Sequence, residues 1–297
     1  MRKAKWILWV LISLGVILSL GINNLSQAKA NSEQPVALGK TVRYDIYKRS
    51  QYTIHTVTIP HNSNYSVLPA VEDQLTPLTS FTTKHNAIAA INGGYFDPKN
   101  QKTTSYIIEQ ERIVADPRLN ERLVDNPDLK PYLGKILNRA EFRRYQCGTE
   151  IIYDIQLHSA PIHSNCTLKA ALGGGPGLLP TDTSVAEGFL AYQDGKIIRD
   201  AIGSIGLNAR SAVGITSDRD IVLVMVAQQP DAPTNSGISL PDLADFLSTL
   251  GVTKAMNLDG GSSASLYYQG NTFYGKVDED ANEIKRPIKS VLLVTKD

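Results

Sequence analysis

The order of apolar and polar residues predicts many short β-strands and few helices. Strand-length apolar stretches end repeatedly at turn residues. Predicted strands lie at residues 52–59, 67–71, 87–91, 151–157, 167–172 and 290–294, with hairpins at 106–114 and 210–227. One longer helix is predicted, from its N-cap Ser239 to Leu250, because apolar residues recur there at i, i+3, i+4 spacing and Gly251 follows. The pattern favours an α+β fold whose core is a mixed, largely antiparallel β-sheet with a few packed helices.

The chain divides into a leader and one domain. Residues 31–84 are predicted to be an N-terminal β-rich part of the same domain as the core at 85–297. Between about 117 and 145, charges and leucines at helix-like spacing are broken by Pro127 and Pro131. This pattern predicts a polar insertion with short helices, whose basic residues form either a solvated face or a contact for an anionic ligand.

Residues 1–30 resemble a secretory signal peptide. A basic start is followed by an apolar run from Trp6 to Ile22, and Ala28-Lys29-Ala30 offers a cleavage pattern. An uncleaved membrane anchor is the alternative, since the run is at the short limit for a spanning helix. Both interpretations predict an extracytoplasmic protein that contacts a membrane only through this segment.

Charge and cysteine content narrow the class of protein further. Without residues 1–30 the chain has 26 basic and 29 acidic residues, a formal charge of −3, and no basic tract, which argues against a nucleic-acid partner. Its two cysteines, Cys147 and Cys166, predict one disulfide in an exported protein. Their spacing does not fit a zinc site. The sequence indicates no cofactor and leaves a metal requirement open.

Three apolar strands are predicted to run into glycine-rich polar corners, at residues 90–97, 171–177 and 257–263. Three such corners in one chain suggest strand ends that converge on one cleft, where a polar ligand approaches the backbone closely. They are not nucleotide loops, because the Gly-Lys-Ser/Thr and G-x-G-x-x-G patterns are absent.

The third corner is the strongest candidate for chemistry. Asp259 to Ser263 are polar or minimal residues between two apolar runs, which predicts a strand, a tight turn and a strand. The turn is either a ligand or catalytic loop, or a structural hairpin. Ser262 or Ser263 as a nucleophile is disfavoured, since the G-x-S-x-G elbow is absent.

Arginines before two predicted strands are candidates for anion binding. Arg210 precedes the strand of residues 211–216 and could clamp a phosphate or carboxylate in bidentate fashion, or form a surface salt bridge. Arg286 before the last strand is a weaker candidate of the same kind.

Taken together, these motifs resemble the phosphodiester glycosidase (NAGPA-like) domain family over residues 85–297. The resemblance is carried by Asn92-Gly93-Gly94-Tyr95-Phe96, Gly173-Gly174-Gly175-Pro176, Asn208-Ala209-Arg210-Ser211, Ser236 to Leu240, Asn257 to Ser263 and Arg286-Pro287-Ile288. The family commonly has Thr where this chain has Ser211, and the stretch 117–145 and the two cysteines look like subgroup features.

The resemblance implies hydrolysis of a sugar-1-phosphodiester in cell-envelope or exopolysaccharide material. It implies a carbohydrate or sugar-phosphate partner and catalytic roles for Asp259 as nucleophile or base, for Arg210 at the phosphate and for Asn92. Asp97 is a candidate second carboxylate or metal ligand. The expected substrate-binding residues are Gly93, Gly94, Tyr95, Gly174, Gly175, Asn208, Ser211, Asn257, Gly260, Gly261, Ser262 and Ser263. A non-catalytic glycan-binding protein and a serine esterase are the alternatives.

Overall fold

The structure, a computed structural model, describes residues 41–297. The predicted signal peptide therefore lies outside the described residues. The strands are β1 (Arg43–Lys48), β2 (Tyr52–Ile59), β3 (Tyr65–Thr76), β4 (Ala89–Asn92), β5 (Ile107–Glu109), β6 (Arg112–Ala115), β7 (Ala140–Cys147), β8 (Glu150–Leu157), β9 (Cys166–Gly173), β10 (Gly177–Leu179), β11 (Leu190–Gln193), β12 (Lys196–Asp200), β13 (Arg210–Thr216), β14 (Ile221–Gln228), β15 (Val252–Asn257), β16 (Ser265–Tyr268), β17 (Asn271–Tyr274) and β18 (Ile288–Lys296).

The helices are few and mostly short. They are α1 (Leu78–Lys84), α2 (Glu121–Val124), α3 (Leu133–Ile136) and α4 (Leu240–Thr249), with single 3₁₀ turns at Pro117–Leu119, Lys130–Tyr132 and Gly261–Ser263. The α4 helix starts as predicted, because the Ser239 hydroxyl accepts a hydrogen bond from the Asp242 N–H. Within residues 41–297 no helix combines the length and hydropathy that crossing a bilayer requires.

Three sheets and one ribbon make up the architecture. Sheet one has the strand order β1-β2-β14-β13-β15-β10, sheet two β17-β16-β4-β18-β3, and sheet three β6-β5-β9-β7-β8, while β11 and β12 form a separate ribbon. The strand pairs in these sheets are antiparallel. The predicted largely antiparallel fold with few helices is therefore confirmed. Strand β2, from the predicted N-terminal part, pairs with β14 of sheet one, and β1 pairs with β2.

The main core lies where the three sheets face one another. Met256 of sheet one, Leu266 and Leu292 of sheet two, and Phe142 and Leu172 of sheet three belong to one buried apolar cluster. The other face of sheet one is covered by α4. Leu240, Leu243 and Leu247 of that helix pack with a second set of sheet-one residues, including Val224 and Ala255. Each fully buried leucine contributes about 1.5–3 kcal/mol relative to an exposed one, so the sheets are held rigidly.

The predicted helical insertion ends earlier than expected. Short helices fill residues 117–136, but β7 follows at Ala140–Cys147 as an interior strand of sheet three. Its alternation was hidden because Glu141 and Arg143 are buried as an ion pair with Nε and Oε2 2.8 Å apart. Charged residues on an inward-facing strand are rare unless paired, so the pattern imitates a polar helix.

The predicted disulfide is confirmed. Cys147 at the end of β7 and Cys166 at the start of β9 are bonded and are opposite each other in the register of the two strands.

Candidate functional site

The corner at Asn257–Ser263 connects two sheets rather than two strands of a hairpin. It follows β15 of sheet one and leads, through the 3₁₀ turn, into β16 of sheet two. The Leu258 N–H donates to the Ser211 carbonyl at 2.8 Å, and the Asp259 N–H donates to the Gly93 carbonyl at 3.0 Å. The backbone of Asp259 is therefore fixed from both sides, and the structural-hairpin alternative is wrong.

Asn92 stabilises the Asn257–Ser263 corner, which we term the junction because it connects sheets one and two. Its Nδ2 donates to the Asp259 carbonyl at 2.6 Å, while its Oδ1 accepts from the Ser211 hydroxyl at 2.6 Å and the Ser265 N–H at 3.1 Å. Asn92 is 1% exposed and Ser211 is fully buried. Both side chains were expected at the substrate, and in the structure their hydrogen-bonding groups hold the junction together.

The three glycine-rich corners meet, as the sequence predicted. A Cβ on Gly94 would lie 2.0 Å from the Gly173 carbonyl oxygen, and one on Gly174 would lie 3.0 Å from the Asn257 carbonyl oxygen. The N–H of Gly175 donates to the Asn257 carbonyl at 2.9 Å. These glycines therefore permit close contact between backbone segments.

Several glycine N–H groups of these corners already have hydrogen-bond acceptors within the protein. The N–H groups of Gly93, Gly174 and Gly261 donate to the carbonyls of Ser290, Ala140 and Ala209 at 2.7, 2.9 and 2.8 Å. The Gly260 N–H hydrogen-bonds the Asp259 carboxylate. Gly93 and Gly261 were expected to bind substrate, and the structure shows that their N–H groups instead donate to backbone carbonyls.

The Asp259 carboxylate is the central group of the site. It is only partly exposed, and burial raises its pKa to about 6, against the lowering effects of the Ser263 hydroxyl, Arg286 and the Gly260 N–H. Burial raises the pKa because a charged carboxylate is poorly solvated there. Near neutral pH the group is mostly ionised and is more basic than an ordinary aspartate.

Arg286 is the cation of this site. Its Nη1 lies 3.2 Å from the Ser262 hydroxyl and 3.3 Å from the Ser263 hydroxyl, and its guanidinium carbon lies 4.8 Å above the centre of the Phe96 ring. No salt-bridge contact within 4.0 Å is formed by Arg286 among residues 41–297. Its side chain is partly exposed. The guanidinium thus keeps donors for an anion next to Asp259.

Arg210 has a different environment from the one expected. It is 2% exposed, and its Nε, Nη1 and Nη2 donate to the carbonyls of Ile238, Ile202, Gly203 and Gly206 at 3.2, 3.0, 2.5 and 2.9 Å. Burial lowers its pKa, with Tyr95 and Asp200 acting in the opposite direction. Its guanidinium holds the loop of residues 202–206, so the contacts favour Arg286 over Arg210 as the anion-binding arginine.

A cavity of about 290 Å³ opens beside Asp259. The residues Asp259 to Ser262 form one part of its lining, and the remainder comes from other loops and strand ends: Tyr95, Ala201, Ile202, Asn208, Arg210 and Asn257. Two lining residues, Ala201 and Ile202, were not predicted as site residues, because their loop carries no motif.

Asn257 and Tyr95 line this cavity and are hydrogen-bonded to each other. The Asn257 Nδ2 donates to the Tyr95 hydroxyl at 2.7 Å and to the Leu258 carbonyl at 2.6 Å, and the Tyr95 hydroxyl donates to the Gly175 carbonyl at 2.8 Å. Burial and the charge of Asp259 raise the pKa of Tyr95, so its hydroxyl stays protonated. These contacts fix the amide orientation of Asn257.

Asp97 does not line the cavity. Its carboxylate lies 2.7 Å from Nε of Arg122 and accepts the Lys99 N–H at 2.8 Å. The structure thus pairs the candidate second carboxylate with another residue. No group of three His, Cys, Asp or Glu side chains within residues 41–297 is arranged to hold a metal ion.

Comparisons with known proteins agree with the motifs. The family model described as phosphodiester glycosidase (NAGPA) matches residues 85–295. No curated protein matches this chain.

The fold is similar to solved structures at low sequence identity. The catalytic domain of zebrafish N-acetylglucosamine-1-phosphodiester alpha-N-acetylglucosaminidase, auto-inhibited by its pro-peptide, is 18% identical with a TM-score of 0.62, over 86% of this chain and 83% of that chain. A hypothetical protein from Synechocystis is 18% identical with a TM-score of 0.55, over 86% and 62% of the two chains. A putative exported protein from Burkholderia pseudomallei is 14% identical with a TM-score of 0.55, over 82% and 74%. By its family match over residues 85–295, this chain belongs to the phosphodiester glycosidase (NAGPA) family.

Proposed function

We propose that this protein is an exported hydrolase that cleaves the bond between the anomeric carbon of a sugar and a phosphodiester. The observation that carries the proposal is a partly buried carboxylate, Asp259, that lines a cavity and is influenced by the charge of Arg286, whose guanidinium contacts the hydroxyls of Ser262 and Ser263. The name of the zebrafish relative gives the same class of bond. The predicted export suggests an envelope or exopolysaccharide substrate.

The chemistry requires fewer groups than an ordinary glycosidase does. Most glycosidases use two carboxylates, one of which protonates the leaving oxygen. A phosphate monoester is a stable anion, so it leaves without a strong acid, and one carboxylate near the anomeric carbon suffices. Asp259 acts there either as nucleophile or as the base that activates water. Asp97, paired with Arg122, is not needed.

Arg286 holds the leaving phosphate in this scheme. Its guanidinium offers donors in the planar geometry that matches phosphate oxygens, and charge develops on those oxygens as the bond to carbon breaks. Ser262 and Ser263 orient Arg286, and Ser263 also contacts Asp259. The hydroxyls thus contact an arginine and a carboxylate rather than a histidine, which does not favour a serine esterase.

The test uses N-acetylglucosamine 1-(methyl phosphate) as a probe in water enriched in ¹⁸O. Wild-type protein is expected to release the sugar with ¹⁸O at its anomeric carbon, because water attacks carbon and the phosphorus keeps its oxygens. Asp259→Asn is expected to lose about 100-fold or more in rate, the usual size of a general-base contribution. Asp97→Asn is the matched control and is expected to keep the rate.

Two results would reject the proposal. One is ¹⁸O in the methyl phosphate product, which would indicate attack at phosphorus. The other is wild-type activity in a folded Asp259→Asn protein. Tight binding of an envelope glycan without turnover of any sugar-1-phosphodiester in a panel of sugars would favour the glycan-binding alternative.

A further inference from the structure

Exposed apolar side chains are concentrated in one stretch of the chain, which also contains the cavity-lining residues Ala201 and Ile202. Of eleven large apolar side chains that are strongly exposed within residues 41–297, six lie between residues 185 and 207. Five of them form what we term the apolar rim: Tyr192, Ile197, Ile198, Ile205 and Leu207, which are 51%, 42%, 56%, 62% and 39% exposed. Isolated exposed apolar residues are ordinary, but a cluster marks an interaction surface.

We propose that the apolar rim binds the hydrocarbon chain of the leaving alcohol, so that the substrate is a phosphodiester between a sugar and a lipid alcohol. This inference rests on the proposed function, since it assigns the part of the diester on the far side of the phosphate. The inference goes beyond the proposed function because it names the class of the leaving alcohol, which the family match does not specify.

The ribbon supplies three members of the rim. Tyr192 on β11 pairs directly with Ile197 on β12, so these two side chains share one face of the ribbon. The ribbon is not hydrogen-bonded as a strand to any of the three sheets. In β12 both Ile197 and its neighbour Ile198 are exposed, and neighbouring residues of a strand face opposite sides. Apolar groups are thus presented on both faces of the ribbon.

The loop that follows β12 joins the rim to the cavity. The Asp200 carboxylate at the end of the ribbon accepts the Ser204 N–H at 2.8 Å, and Arg210 binds the carbonyls of Ile202, Gly203 and Gly206. This holds the backbone around Ile205 in one shape although its side chain faces solvent. A loop fixed by a buried arginine gives its exposed side chains a defined position.

The position of the apolar rim indicates which ligand it binds. Ile205 and Leu207 lie in the chain between Ile202 and Asn208, and both of these line the cavity next to Asp259. A diester with its anomeric carbon at Asp259 and its phosphate at Arg286 must extend its alcohol out of the cavity. Along the chain, residues 201–202 of the cavity lining lie between the ribbon and Ile205, so this proximity to the site favours a chain of the substrate over an independent partner.

The first arm of the test compares two leaving alcohols. The N-acetylglucosamine 1-phosphate diesters of methanol and decanol are assayed below the micellar concentration. Wild-type protein is expected to prefer the decyl diester by about tenfold or more in kcat/KM, from burial of part of the chain. Ile205→Ser/Leu207→Ser is expected to lower this ratio toward one. Ile113→Ser/Ile162→Ser, at exposed apolar positions outside the rim, is expected to keep it.

The second arm measures binding without hydrolysis. Calorimetry compares decyl phosphate with methyl phosphate on the same three proteins, and selective binding of decyl phosphate that only the rim variant loses supports the rim. If wild-type protein hydrolyses neither diester, nor any sugar-1-phosphodiester in the panel of sugars, but shows this selectivity, the proposed function fails while binding of the hydrocarbon chain by the apolar rim is supported.

Three other outcomes would contradict the proposal that the apolar rim binds the hydrocarbon chain of the leaving alcohol. One is equal binding of the two phosphates by wild-type protein. Another is preference for the decyl diester that survives in the rim variant. A third is rim-dependent binding to phospholipid vesicles, or rim-dependent self-association in sedimentation, without selectivity for decyl phosphate. These would assign the surface to a membrane or to a second copy of the chain.

Discussion

Replacing Asp259 by Asn is expected to stabilise the fold at neutral pH while it removes the proposed activity. Burial raises the pKa of Asp259 from 3.8 to about 6. The folded protein therefore binds this proton more tightly than the unfolded chain does. As pH rises through the window between these values, ionisation favours unfolding, and the wild-type protein stays less stable above pH 6 than it would with a neutral side chain.

The size of the effect follows from the same shift. A rise of about 2 pKa units corresponds to about 3 kcal/mol at about 1.4 kcal/mol per unit. Partial contact with solvent reduces this value, so about 1–3 kcal/mol of added stability is expected for Asp259→Asn at pH 7.5. For a domain of this size, Tm should rise by about 2–10 °C.

The assay is urea unfolding of both proteins at pH 7.5 and pH 4. The stability difference between Asp259→Asn and wild type should shrink at pH 4, where the wild-type carboxylate is mostly protonated. Asp97→Asn is a control for which the opposite change in stability is expected. Burial alone would raise the pKa of Asp97, but the Lys99 N–H and Arg122 outweigh it and lower the pKa, so this variant should lose stability at pH 7.5. A destabilised Asp259→Asn, or a gain that does not depend on pH, would refute the reasoning.

Three further predictions test the surrounding residues. Arg286→Met should raise the pKa of Asp259, moving the acid limb of the pH–rate profile to higher pH, and lower kcat/KM by about 100-fold; an unchanged profile would contradict its role. Arg210→Met should lose about 3 kcal/mol or more in urea unfolding, because the buried guanidinium's four hydrogen bonds to backbone carbonyls are lost; a stability equal to wild type would count against this. Gly94→Ala should cost about 3 kcal/mol or more, since its Cβ would lie 2.0 Å from the Gly173 carbonyl oxygen, and normal thermal unfolding would contradict the close contact.

The fold was predictable from the sequence where apolar residues recur with the period of a strand or a helix. Strand β2 spans Tyr52–Ile59 and α4 spans Leu240–Thr249, as the alternation and the i, i+3, i+4 spacing predicted. The exception is β7, which is buried on both faces and contains the Glu141–Arg143 ion pair. A local pattern cannot show that two charges neutralise each other inside a sheet.

The site was predictable to the level of motifs but not of contacts. The glycine-rich corners were expected to converge, and the backbone contacts among Gly94, Gly173 and Asn257 show that they do. The sequence placed Arg210 ahead of Arg286 as the anion-binding candidate, although both precede a strand, and the contacts favour the opposite order. Their difference arises from loops distant in sequence, which surround Arg210 with carbonyls and leave Arg286 beside two hydroxyls. The roles of Asn92 and Ser211 were hidden for the same reason.

The junction explains how an unfavourable carboxylate is kept in place. An ionised Asp259 would relieve its poor solvation by moving toward water, but its own backbone cannot follow. The Asn92 Nδ2 holds its carbonyl at 2.6 Å, and its N–H donates to the Gly93 carbonyl at 3.0 Å. Asn92 in turn is held by Ser211 of sheet one and Ser265 of sheet two. Burial raises the pKa of Asp259, and the hydrogen-bonded junction keeps the residue in that buried position. Rigid support of a destabilised group is what a preorganised catalytic carboxylate requires.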